Sequence, residues 1–413
     1  MMRICWFSVS DQLGGSEMAL ITMLDGLRVA RPGWTHQVVL PGNGPLKQRA
    51  ESAGASCTVV PMPPALSRIG ESATVRDRWR PGAALALGLR LGATAVAVRA
   101  YEKALAQAIA PFQPDLIHTN GLKAHVLGAR IGLPHPRLVW HLHEYVSQRR
   151  LTRWLMRRYV RRCAAMIANS ASVAADVASI FDQPPPVRVV RNAVDLRVFR
   201  PDGPGLDLDA LSGLPPAPAD VVRVGLVATF ARWKGQQVFL DALQRIPASR
   251  PVRGYIVGGP LYDTPGSQYS RRELEAMIDA RNLRCRVGLT GFVDSAAAMR
   301  TLDVVVHASI EREPFGLVIA EGMACGRAVI TTGHGGAAEL IEAERDALVA
   351  PPADSRALAT AIERVAADPE LREALGIRAR TAALARFAPD RMAAELAQVF
   401  ETAGGRRPLA QSA

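Results

Sequence analysis

Short apolar runs bounded by turn-forming residues alternate with helix-length segments along almost the whole chain. In the first half the runs are Ile4–Val9, His36–Leu40, Cys57–Pro61, Asp115–Thr119, Arg137–His143, Ala165–Asn169 and Val187–Val190. The second half repeats the grammar with Arg223–Ala228, Arg253–Val257, Val287–Leu289, Val304–Ala308, Ala328–Thr331 and Ala347–Val349. Runs this short and this apolar, spaced by helices, predict parallel strands covered on both faces. No short-period repeat interrupts the pattern.

Between the two series lies Phe199 to Asp220, rich in Pro, Gly and Asp, which is the composition of a linker. The pattern predicts an α/β protein of two doubly wound, Rossmann-like domains. The expected division is an N-terminal domain over 1–200, a linker over 201–220, a C-terminal domain over 221–385, and a helix and tail over 386–413. After Pro352 the chain reads as helical to about Thr402, with a loose tail of some ten residues. Two such domains facing each other make a cleft, and open α/β sheets bind ligands beyond the carboxyl ends of their strands. Function is therefore expected in the loops just after the strands.

Composition narrows the classes. The 413 residues suit two domains, each with its own core, and 49% hydrophobic with 21% charged residues describes a globular chain. A net charge of +12 favours anionic partners without choosing among nucleic acid, acidic lipid and phosphorylated substrates. Five scattered cysteines (Cys5, Cys57, Cys163, Cys285, Cys325) with no CxxC suggest neither a disulfide framework nor a zinc site, and fit a reducing, cytoplasmic setting. The N-terminus reads as a strand, not a signal peptide, and the apolar stretch Ala83–Val98, interrupted by Arg90, is too short for a comfortable membrane span.

The richest chemistry lies between His307 and Gly326. A strand is expected to end near Ser309, a loop carries Glu311 and Glu313, and a helix starts near Phe315 or Gly316 and runs to about Cys325. The free amides of Phe315, Gly316 and Leu317 at such a start make an anion site, strengthened by the helix dipole. On continuous helical geometry, Glu313 and Glu321 would be offset by about 80°, so both could face one cleft. Carboxylates accept paired hydrogen bonds from vicinal sugar hydroxyls. The arrangement suggests one carboxylate for a transferred sugar, one for a ribose, and phosphates between them.

Two glutamates eight apart around Pro-Phe-Gly resemble the signature of the retaining glycosyltransferases of family 4, which have the GT-B fold. Ala324-Cys-Gly-Arg-Ala-Val-Ile, Gly335-Gly-Ala-Ala-Glu339, Arg191-Asn-Ala-Val-Asp195 and Gly14-Gly15-Ser-Glu17 match the same family in order. The resemblance implies that Glu313 holds donor-sugar hydroxyls, Glu321 binds the ribose, and the amides of Phe315 to Leu317 contact sugar and diphosphate. It further implies a nucleotide-sugar donor, a glycan, lipid-linked or small-molecule acceptor, and front-face displacement without a covalent nucleophile. No cofactor or metal is expected.

The second domain opens with Val227-Ala-Thr-Phe-Ala-Arg232-Trp-Lys234-Gly235, a strand end followed by two cations suited to a leaving diphosphate. Lys234 matches the family's Gly-Arg-x-x-x-x-Lys-Gly, but Thr229 stands where its arginine is expected and Arg232 lies two residues before the lysine. Near the N-terminus, Gly14 and Gly15 permit a tight turn and close ligand approach between strand and helix, with Gly15 on the donor side and Gly14 on the acceptor side. His118 and His143, at successive strand ends, are candidates for sugar contact or proton movement, against a purely packing role. Alternation puts His141 and His143 on one strand face. Asn120 stands where the family often has a second histidine, and it and Lys123 are acceptor-side candidates.

The histidines lack the cysteine or acidic cluster that a metal site needs, and Asp207-Leu-Asp209 falls in the expected linker. Arg149 to Arg162 holds seven arginines and no acid, interleaved with Leu, Trp, Met, Tyr and Val. It reads as a solvated helix or as one lying on an anionic membrane, with nucleic acid the weaker alternative. The resulting reading is a hexosyltransferase of glycan, exopolysaccharide or glycolipid synthesis, cytoplasmic or peripheral on the membrane. Its rivals are a nucleotide-sugar epimerase or phosphorylase of the same fold, and a non-catalytic binding protein.

Overall fold

The computed structural model describes residues 1–67, 83–133, 137–261 and 266–405. The apolar runs form two parallel sheets, one in each of two compact units.

The first unit comprises Met1–Arg191 and Pro389–Ala413. Its strands are β1 (Arg3–Ser8), β2 (Thr35–Leu40), β3 (Ser56–Val59), β4 (Leu116–Asn120), β5 (Arg137–Leu142), β6 (Cys163–Ala168) and β7 (Val187–Val189). They lie in the order β3-β2-β1-β4-β5-β6-β7. The order reverses between β1 and β4, which pair with Ser8 opposite Asn120. Such a reversal leaves a crevice beyond the strand ends, because the flanking crossovers leave on opposite faces.

The second unit comprises Asn192–Ala388. Its strands are β8 (Val222–Val227), β9 (Val252–Val257), β10 (Val287–Gly291), β11 (Val304–His307), β12 (Ala328–Thr331) and β13 (Leu348–Val349), in the order β10-β9-β8-β11-β12-β13. Here the reversal falls between β8 and β11. Val304, Val305 and Val306 are all buried, as a strand covered on both faces requires.

The division differs from the expected one in two ways. The 201–220 segment is no free linker. Leu208 is buried with Phe199, Tyr255 and Met299, and Asp209 accepts from Arg253 Nη1 at 2.6 Å and from the Tyr255 hydroxyl at 2.7 Å. Its turn-forming composition reflects irregular backbone, while its few apolar side chains anchor it. The helix Pro389–Ala403 belongs to the first unit. It packs on the helix Gly15–Ala30, where a Cβ on Gly26 would meet that of Ala393 at 3.0 Å, and Arg31 Nε reaches Glu401 at 2.9 Å. Three helices, Ser355–Ala367, Pro369–Arg386 and Pro389–Ala403, fill the stretch after Pro352. Most of the expected tail, residues 406–413, lies outside the described residues.

Candidate active site

The switch point of the second unit gathers the densest polar cluster. Beyond β8 the chain turns through Arg232–Lys234 into Gly235, whose φ of +78° favours glycine. A Cβ there would stand 1.9 Å from the Ala308 carbonyl oxygen, so only glycine lets this loop lie against the end of β11. The Ile310 amide donates to the Trp233 carbonyl at 2.8 Å and fastens the two loops together. The Lys234 ammonium rests 3.9 Å over the Trp233 ring and donates to Glu313 Oε2 at 2.7 Å.

Glu313 is held from several sides. Its Oε2 also meets the Ser309 hydroxyl at 3.0 Å and His307 Nε2 at 3.1 Å, while His307 Nδ1 lies 3.0 Å from the Thr331 hydroxyl. With its proton on Nε2, His307 donates to the carboxylate and accepts from Thr331. The Glu313 backbone is pinned as well: its amide donates to the His334 carbonyl at 3.2 Å, and its carbonyl accepts from Gly336 at 2.7 Å. Burial opposes ionisation of Glu313, yet the Lys234 charge and the His307 hydrogen bond hold its carboxyl well below the usual carboxylate range.

The helix downstream runs from Leu317 to Ala324, with Gly316 as N-cap at φ +94°. Glu313 therefore precedes a left-handed residue and does not continue the helix, so the eight-residue helical rotation does not describe the pair. A Cβ on Gly316 would meet Ile319 Cδ1 at 2.9 Å, so space as well as φ requires glycine here. The amides of Leu317 and Val318 have no acceptor within the helix, as in any first turn. The Phe315 ring is buried against Phe387, which leaves only its backbone for a ligand. The Glu321 side chain is partly exposed and its carboxylate has no hydrogen-bond or ion-pair partner among the described residues; partial burial without a counter-ion raises it to about 7.

Arg232 stands apart from this cluster. Its guanidinium donates to Glu273 at 2.6 Å and to the Gly266 carbonyl at 3.1 Å, and stacks 4.2 Å over Tyr269. The structure thus brings Lys234 and Glu313 together and ties Arg232 to the helix Arg271–Ala280.

In the first unit, Gly14 and Gly15 start the helix after β1, with Gly14 in ordinary extended backbone at φ −92° and ψ −175°. Asn120 is almost wholly buried, and its amide donates to the Ser16 carbonyl at 3.1 Å across the switch point. It positions the glycine loop and presents no surface to an acceptor. Lys123 lies in the first turn of the helix Leu122–Arg130.

His118 corrects the expectation of a cleft residue. It is 0% exposed, packs against Trp6 and Phe400, and its Nε2 lies 3.1 Å from His141 Nδ1. Burial, with the nearby His143 and His125, pushes its pKa well below the ordinary value, so it is a neutral packing residue. His143 stacks on His141 at 4.1 Å, which agrees with their sharing one strand face, and burial lowers it to about 4. It is less buried than His118 and stands at the strand's exit.

Sequence reasoning passed over His307, Ser309 and Thr331. The available signal was the i, i+2 spacing of His307 and Ser309 where β11 exits, which turns both to one side beside the Glu313 loop. No group of three or more His, Cys, Asp or Glu side chains among the described residues is arranged to hold a metal ion. No helix among them is long and apolar enough to cross a membrane.

Two family models match this chain: Glycosyltransferase Family 4 over residues 13–198 and Glycosyl transferases group 1 over residues 221–368. The chain is 29% identical to a D-inositol 3-phosphate glycosyltransferase of Jonesia denitrificans over 300 residues, covering 69% of this chain and 66% of the relative. It is 31% identical to the lipopolysaccharide core biosynthesis mannosyltransferase LpcC of Rhizobium leguminosarum over 252 residues, covering 61% and 67%. The first three curated relatives are each spanned over less than two thirds of their length, at 66%, 45% and 58%. Among solved structures, Anabaena Alr3699/HepE in complex with UDP-glucose superposes with a TM-score of 0.78 at 26% identity, over 97% of this chain and 100% of that one.

Proposed function

The chain belongs to the family 4, group 1 glycosyltransferases of GT-B fold, and from that premise we propose that it transfers a sugar from a nucleoside-diphosphate sugar to an acceptor hydroxyl with retention of configuration. The observation that carries this reading is the Lys234–Glu313 pair at the β8/β11 switch point, beside a helix start with free amides. A buried carboxylate beside a cation can accept sugar hydroxyls, while the cation and the amides face a diphosphate. Glu321, with no partner of its own, suits the two ribose hydroxyls.

In the reaction the bond from the anomeric carbon to the diphosphate oxygen breaks and the bond to the acceptor oxygen forms on the same face. The acceptor proton passes to the leaving phosphate oxygen. Lys234 offsets the charge that builds there, and Glu313 fixes the sugar ring. Gly15 remains assigned to the donor side and Gly14 and Lys123 to the acceptor side, while His143 keeps its assignment as a catalytic candidate for sugar contact or proton movement. A glycan or lipid-linked acceptor in a polysaccharide, glycolipid or related pathway is in keeping with the relatives.

Thermal shift with UDP, GDP and ADP, followed by transfer from the sugar of the stabilising nucleotide, tests the proposal. Stabilisation by one nucleotide class and a product with the donor's anomeric configuration are expected. An inverted product would refute retention, and epimerised donor formed without any acceptor would replace the transferase reading.

A further inference from the structure

We propose that the helix Arg150–Tyr159 is a docking surface for an anionic phospholipid bilayer, with Trp154 and Leu151 entering the headgroup layer. The helix presents Met156, fully buried, to the protein. At 100° per residue, Arg150, Leu151, Trp154 and Arg158 fall on the opposite side with Arg157 at its margin, and all five are exposed. Trp154 stands near the centre of that face at 63% exposure, and Leu151 beside it at 60%. A soluble protein seldom leaves a tryptophan and a leucine this open on one face, ringed by cations, unless they meet an apolar phase behind an anionic one.

The charges are available. Among the described residues no acid pairs with Arg150, Arg158 or Arg161, and the partner of Arg157 is the exposed Asp182 at 3.6 Å. Arg149 shares Glu144 at 3.0 Å, and Arg162 is spent on the Ala129 carbonyl at 2.7 Å, which fastens the end of the segment to the unit. Arg158 also lies 5.8 Å over the Tyr159 ring; the guanidinium groups without an acid partner thus flank the apolar pair, while Arg149 and Arg162 anchor the segment's ends. A nucleic acid or an acidic peptide would satisfy the cations but would leave the aliphatic Leu151 without use, so the bilayer fits the whole face. The helix follows the exit of β5, at the same sheet edge as the Gly14–Gly15 loop after β1.

Flotation of the full chain with vesicles of phosphatidylglycerol mixed with phosphatidylcholine, and with phosphatidylcholine alone, tests the inference. Binding to the anionic vesicles and little to the neutral ones is expected. Each arginine near the surface contributes roughly fivefold, so R150E/R158E loses well over tenfold. W154S loses roughly tenfold through the apolar contact. Both variants should keep the wild-type melting temperature and nucleotide stabilisation, which separates this inference from the transfer reaction. Absence of flotation at low salt overturns it. So does vesicle binding that W154S and R150E/R158E leave unchanged, or an oligonucleotide bound where vesicles are not.

Discussion

The two sheet edges solve the burial of polar groups in opposite ways. At the ends of β4 and β5 the first unit buries His118 and His141 as neutral rings packed edge-on to each other, with His118 also against Trp6 and His143 stacked on His141 at the strand's exit, and leaves several ring nitrogens unpaired. Beyond β8 and β11 the second unit buries a charge, and surrounds Glu313 with Lys234, Ser309 and His307. The neutral stack has the character of a core, stiff and apolar. The compensated carboxylate has the character of a binding site, because its donors are already oriented for a charged or hydroxylated ligand. A polar residue type at a strand end therefore does not by itself mark a site, as the buried His118 shows.

Removing one partner of that charge breaks the contrast most sharply. Lys234→Met would leave Glu313 buried without its cation, at a cost of roughly 3–5 kcal/mol. Chemical unfolding would register this loss, and sugar transfer would fall to background. Lys234→Met/Glu313→Gln should regain most of the stability but none of the activity. Equal stability of the single and double variants would show that the pair is not the compensated charge described here.

Acid separates the two edges without mutation. Burial lowers His36 and His143 to about 4, and holds His118 and His141 well below the ordinary value. The unfolded chain binds protons from about pH 6.5 downward while these folded rings do not. Their stabilising contribution is thus complete above that pH and is lost as pH falls toward 4, by on the order of 3 kcal/mol for each of His36 and His143. Glu313 has a depressed pKa, so its contribution is kept down to the ordinary carboxylate range and lost only below it. Hydrogen exchange between pH 7 and 4 should show β4 and β5 losing protection before β8 and β11. Simultaneous loss would contradict the assignment of neutral histidines to the first unit.

The sequence made some of this legible and hid the rest for physical reasons. Parallel strands buried on both faces write themselves as apolar runs, so β1, β8 or β11 could be placed to within a residue or two. The helix start after Glu313 was visible through Pro314 and Gly316. The left-handed turn at Gly316 was not, because glycine there is equally compatible with a helical N-terminus. Turn-rich composition cannot separate a tether from irregular chain packed on a sheet, and Phe199 and Leu208 decide that in favour of packing. An amphipathic helix does not announce which sheet it covers, so the return of Pro389–Ala403 to the first unit was invisible. Alternation gave the shared face of His141 and His143 but not that His118 turns inward.

Loop closeness in the second unit is the next target. Gly235→Ala places a methyl 1.9 Å from the Ala308 carbonyl oxygen at a positive φ, so the loops must part. The expected loss is about 2 kcal/mol of stability, with transfer falling further than stability explains because Lys234 moves off Glu313. Retained activity would mean that the fastening of these loops does not set the Lys234 position. Glu321→Gln should act more narrowly. With its carboxyl raised to about 7, Glu321 accepts ribose hydroxyls fully only when ionised, so nucleotide affinity should rise between pH 6 and 8. The variant should bind about tenfold more weakly at pH 8 and show a flat profile by calorimetry. A pH-dependent profile in the variant would move the titration to another group.

Arg232 gives the smallest effect and the sharpest comparison with Lys234, its neighbour two residues on. Both are cations on the loop after β8, yet Lys234 is mostly buried on Glu313 while Arg232 is 40% exposed on Glu273. An exposed pair is screened by solvent and contributes little, and the stacking on Tyr269 is a surface contact as well. Arg232→Ala should therefore leave the unfolding midpoint close to wild type and nucleotide affinity within about threefold. A large loss of affinity with unchanged stability would reverse this assignment. It would mean that the guanidinium leaves Glu273 when a diphosphate binds, and that the displaced arginine does take the place Thr229 cannot fill.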